Sequence, residues 1–221
     1  MDLSISKRFS KKYLDSWNNK DYKIKYFGND LDVIILGETH YSEDILNKQL
    51  ELIHLVKPDF VLHEFLTALV YNPQTARFEQ QPDRILNWFD QEIDFVEISK
   101  DLIKASKELH FEIVGCDLSL AEQLIIARQL AEDNPHEYEF DEEFECLVKP
   151  SDPDWIFTPL SDVIIPYREQ QMLETINSYK RKSEKSVLII LGDLHAKNLH
   201  NQKLIQKNRI GYAYVNQTEK K

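Results

Sequence analysis

Two short stretches of this 221-residue chain share one form. Val33-Ile34-Ile35-Leu36 runs into Gly37-Glu38-Thr39-His40, and Val187-Leu188-Ile189-Ile190-Leu191 runs into Gly192-Asp193-Leu194-His195. Each is an apolar run followed by glycine, an acid, one further residue and a histidine. A third apolar run, Phe60-Val61-Leu62, ends in His63-Glu64, and a fourth, Phe111–Cys116, ends at Asp117. Two imidazoles with one or two carboxylates suit a divalent metal such as manganese, zinc or iron. Without a metal, the same groups make a Glu/His general-base site. Taken singly, each has a blander role. Glu64 and Asp117 could complement the start of a following helix, Asp193 could shape a turn, and a lone histidine is commonly a hydrogen-bonded loop residue. The repetition of Gly-x-x-His beside a glutamate is what points to a site.

These groups meet only if the runs that carry them are strands of one sheet. Between the apolar runs lie amphipathic stretches, and Glu43–Val56 places Ile45, Leu46, Leu50, Ile53 and Val56 on one helical face, with Ser42 as its expected N-cap. Further helices are expected near 95–109, 120–131, 166–182 and 198–207, with a last strand near 211–215. The alternation predicts one α/β domain over residues 1–221, with a mainly parallel sheet flanked by helices. The strands are continuously apolar rather than alternating, as in a sheet covered on both faces. In such a sheet the C-terminal strand ends share one crevice. His40 and His195 can meet there if the strands at Val33–Leu36 and Val187–Leu191 are neighbours. Three of the five glycines, Gly37, Gly115 and Gly192, fall at these strand exits, where glycine lets the backbone turn sharply or approach a ligand closely.

Two segments break the rhythm. Residues 65–95 and 132–160 are expected to be helical or irregular insertions over the C-terminal strand ends, the first helical and the second an acidic, proline-containing lid. Neither carries a motif that names a substrate.

Several classes are excluded by composition. A net charge of −11 opposes binding to nucleic acid or to anionic lipid. No apolar run approaches the roughly 20 residues of a membrane helix. Cys116 and Cys146 are the only cysteines, which is no disulfide framework and fits a reducing cytoplasm. His63-Glu64-Phe65-Leu66-Thr67 lacks the second histidine of a zinc-protease helix, and the phosphate-cradling loop, Gly-x-Ser-x-Gly elbow and Cys-x-x-Cys are all missing.

The ordered set, from Val33–His40 through Pro58-Asp59-Phe60-Val61-Leu62-His63-Glu64 to Gly192–His195, resembles the superfamily that joins the TraB/Tiki proteins, the erythromycin esterases and the ChaN-like haem-binding lipoproteins. That superfamily also has an arginine on a later helix. Here it corresponds to Arg168 in Tyr167-Arg168-Glu169-Gln170-Gln171-Met172. The Tiki branch implies a metal-dependent peptidase with His40, Glu64 and His195 at the metal. The esterase branch implies that Glu38 and His40 activate water on an ester or lactone. The ChaN branch implies haem or metal binding without turnover. The resulting expectation is a cytoplasmic metal-dependent hydrolase of a peptide, ester or amide bond, with a divalent manganese, zinc or iron ion at His40, Glu64 and His195, acting on a small-molecule or peptide substrate; the metal-free esterase and the binder without turnover are its alternatives. Glu38 is its general base and Arg168 its oxyanion or carboxylate partner.

Overall fold

The structure is a computed structural model that describes residues 9–19, 22–28, 31–38, 43–86, 99–157, 162–181, 185–202, 205 and 210–217. Its centre is five parallel strands. In spatial order they are β11 (Tyr212–Gln217), β2 (Val33–Glu38), β10 (Val187–Gly192), β3 (Phe60–His63) and β6 (Glu112–Gly115). Antiparallel strands extend both edges. β1 (Tyr22–Phe27) pairs with β11 on one side, and β4 (Leu69–Asn72) with β5 (Arg77–Gln80) adds to β6 on the other. The fold is α/β as expected, and the two strands that lead into the Gly-x-x-His stretches, β2 and β10, are neighbours.

Every residue of β2 and of β10 is buried. Alternate side chains point to opposite faces of a strand, so both faces need cover. Ile34, Leu36, Val61, Ile113, Leu188 and Ile190 pack with Leu52 and Ile53 of α2 (Glu43–Val56) and Leu102 and Ala105 of α3 (Lys100–Leu109). Val33, Ile35, Leu62, Val114, Ile189 and Leu191 pack on the other side with Met172, Leu173 and Ile176 of α5 (Ile165–Arg181). Ala196 and Leu199 of α6 (Asp193–Asn201) complete that layer. Burying each such Val, Leu or Ile side chain is worth roughly 1.5–3 kcal/mol. The two layers therefore fix which strand ends stand side by side.

The region from residue 65 onward differs from the helical reading. Residues 69–80 form a hairpin that continues the main sheet. Val70, Tyr71 and Phe78 favour a pleated surface, and Asn72 supplies the turn by accepting from the amides of Gln74 and Thr75. The acidic segment is likewise a small antiparallel sheet: β7 (Glu139–Asp141), β8 (Cys146–Lys149) and β9 (Asp152–Phe157). Its inner residues Leu147 and Phe157 pack on Ala127 of α4 (Leu120–Asp133).

Two helix starts follow from their sequences. Ser119 and Glu122 form a reciprocal capping box at α4. α6 begins directly at Asp193 behind Gly192, earlier than the helix predicted near 198–207, because an acid in the first turn complements the helix dipole. His195 is therefore a helical residue. The expected Ser42 cap lies outside the described residues.

Candidate functional site at the strand ends

Gly115 shows why the rim is tight. A methyl group there would fall onto the backbone carbonyls of Leu66 and Thr67. Only glycine lets the chain after β3 cross the end of β6. Before that crossing, Glu64 continues the β3–β10 pairing: its amide donates to Ile190 O at 3.3 Å and its carboxylate accepts from the amide of Gly192. The imidazole of His63 accepts from the Phe65 amide at 3.2 Å, which makes it part of the same turn.

Asp117 follows β6 and is buried. Arg168, in the first turn of α5, donates to both its oxygens, with Nε at 3.0 and 2.9 Å from Oδ1 and Oδ2 and Nη2 on Oδ2. The Leu118 amide adds a donor at 2.7 Å. Burial pushes the Asp117 carboxyl above the ordinary aspartate value and Glu64 adds to the push, against the hydrogen bonds and charge of Arg168 and the charge of His195. Burial opposes the charge on Arg168, but Asp117 and then Glu64 outweigh it and hold its pKa above the usual arginine value. Glu64, Asp117, Arg168 and His195 thus form one electrostatic group.

His195 is 6% exposed, and its Nδ1 lies 3.4 Å from Oε1 of Glu169, which is also buried. Asn198 Nδ2 donates to the same Glu169 oxygen at 2.6 Å. A carboxylate on Nδ1 selects the tautomer that carries its proton there, and this turns Nε2 into an acceptor. Glu169 was not among the residues singled out from the sequence. The available signal was an acid three and four residues before Met172 and Leu173, on the apolar face of a helix.

Glu38 ends β2 in register with Gly192 and is 4% exposed. Its carboxylate accepts from Gln49 of α2 at 2.5 Å. Gln49 was also missed, although a glutamine between Ile45 and Ile53 on an apolar helical face was legible. His40 lies outside the described residues.

The structure therefore gathers Glu64, Asp117, Arg168, Glu169 and His195, with Glu38 at the adjoining strand end. Two of the three predicted metal ligands, Glu64 and His195, are described. Among the described residues no group of three His, Cys, Asp or Glu side chains is arranged to hold a metal ion. Among them no helix is long and apolar enough to cross a membrane. Comparison with family models, with curated proteins and with solved structures gave no match to this chain.

Proposed function

We propose that the chain is a hydrolase of a peptide, ester or amide bond. The observation that carries this reading is the buried pair of Glu169 and His195, with Nδ1 of the imidazole on the carboxylate. An imidazole oriented in this way can take a proton from water at Nε2 while the oxygen attacks a carbonyl carbon. It then returns that proton to the departing amine or alcohol. Glu169 stabilises the imidazolium between the two transfers. Arg168 supplies positive charge for the oxyanion, and Asp117 fixes the plane of its guanidinium. Glu38, held by Gln49, is the second proton acceptor of the rim in this reading, and His40 its second imidazole.

The metal-dependent form uses the same residues. A carboxylate behind the imidazole is also the usual support of a metal-ligating histidine. His40, Glu64 and His195 would hold a divalent ion, which would supply a bound water ionised near neutral pH.

The test is a screen of peptide, ester and amide substrates, with and without added manganese, zinc or iron, on protein purified without chelator. His195→Ala should lower kcat at least about 100-fold on any true substrate. Elemental analysis of wild type and His195→Ala separates the two forms: a stoichiometric ion lost in the variant selects the metal-dependent one. Turnover that is unchanged in His195→Ala, or no turnover of any of the three bond classes, would overturn the proposal.

A further inference from the structure

Among the described residues, six buried side-chain polar atoms lack any hydrogen-bond partner, and three of them belong to one place: Asp193 Oδ1, Tyr214 Oη and Asn216 Oδ1. Their common neighbour is Gly37. A methyl group on Gly37 would lie 3.5 Å from Asp193 Oδ1, 3.5 Å from Tyr214 Cε2 and 2.9 Å from Ala196 Cβ. Asn216 sits opposite Gly37 in the β2–β11 register, and its side chain shares the strand face of Tyr214 because the two are separated by one residue. The first turn of α6 thus lies over the ends of β2 and β11, and the three oxygens are buried around this junction.

Buried polar groups without partners are rare, and a group of them is the signature of a place that binds an ion or water. Which of the two fits depends on donor chemistry. A carboxylate oxygen and an amide oxygen only accept, and of these three atoms the phenol oxygen alone can also donate. Three oxygens with no nitrogen or sulfur are the donor set of a hard cation. Its charge follows from Asp193. The second oxygen of that carboxylate is ion-paired with Lys197, so the site faces less than one full negative charge. A divalent ion would be under-neutralised. Burial, and then the charge of Asp193, hold the Tyr214 phenol far above its ordinary pKa, so it meets the site as a neutral oxygen. Tyr214 is 3% exposed, whereas Asp193 is only partly buried, with a quarter of its side chain exposed. The site therefore lies just under the surface.

We infer that Asp193, Tyr214 and Asn216 form a binding site for a monovalent metal cation, sodium or potassium, that ties the first turn of α6 to the ends of β2 and β11. It is separate from the hydrolase reading, and its test does not read activity. The chemistry of His195 is placed by the same helical turn, so the ion would also steady the position of that imidazole.

The experiment is thermal unfolding of the full chain in sodium or potassium chloride against tetramethylammonium chloride, whose cation is too large to enter, at constant ionic strength. One of the two small ions should raise Tm saturably, by about 5 °C or more at a hundred times its dissociation constant. Asp193→Asn and Tyr214→Phe should each remove that rise. Lys197→Met, which breaks the ion pair but keeps all three oxygens, should retain it, and this separates loss of the site from loss of the pair. Equal Tm in all three salts would mean that water fills the space and would overturn the inference. So would an ion-specific rise that survives in Asp193→Asn.

Discussion

Replacing Arg168 by methionine removes the charge and keeps most of the length of the side chain. It leaves Asp117, 4% exposed, with the Leu118 amide as its remaining neighbouring donor and with Glu64 nearby. Removing one partner of a buried pair costs about 3–5 kcal/mol, because the other charge stays desolvated. In a domain of this length each kcal/mol is worth about 2–4 °C, so Tm at pH 7 should fall by about 6–20 °C. The loss should depend on pH in a stated direction. Burial has already raised the Asp117 pKa in the folded wild type, and loss of Arg168 raises it further. A carboxyl with a raised folded pKa favours the folded state below its unfolded value of about 3.9 and loses that contribution as pH rises through the folded value. The deficit of Arg168→Met should therefore be largest near neutrality and shrink as pH falls toward about 4. Asp117→Leu combined with Arg168→Met should recover most of the stability, since an apolar pair of similar volume carries no desolvation cost. Urea unfolding of the three proteins at several pH values reads all of this. A deficit below about 1 kcal/mol, or one that does not vary with pH, would refute the reasoning.

Gly115→Ala forces a methyl group onto the carbonyls of Leu66 and Thr67. Over-packing against backbone should cost about 3 kcal/mol or more by urea unfolding. Glu122→Gln weakens the α4 capping box and the bidentate pair with Arg84 (2.7 Å to each oxygen). Burial would raise the Glu122 pKa, but Arg84 outweighs it and the net shift is downward. Its stabilisation is therefore present above the unfolded value of about 4.3 and lost as pH falls through the folded one, so the gap to Glu122→Gln should close in acid. His200 is held below the ordinary histidine value by burial and by Lys25, so its imidazole should titrate by NMR below about 6.5. Lys48→Ala, which breaks an exposed pair with Glu51, should change stability by less than about 0.5 kcal/mol.

The chain itself determined the parallel core. Val33–Leu36, Phe60–Leu62 and Val187–Leu191 are short, apolar and bounded by Pro, Gly or acids, so local hydrophobicity was enough to place them as strands and to put Glu38, Glu64, Asp117 and His195 at their ends. The hairpin of residues 69–80 was not legible in this way. It is a strand pair because β6 offers an edge to it, and an edge is a property of the assembled sheet. The helix at Asp193 hid for a related reason: three polar or mixed residues read as a loop until the sheet beneath gives Ala196 and Leu199 something to bury against. Side-chain partners lay furthest from the sequence. Glu169 and His195 are separated by a whole strand, and Asp117 and Arg168 by a helix and a small sheet. Spacing along the chain carries no information about such pairs. Residue type fixed which groups could do chemistry, and only the packing of α5 and α6 on the sheet decided which of them meet.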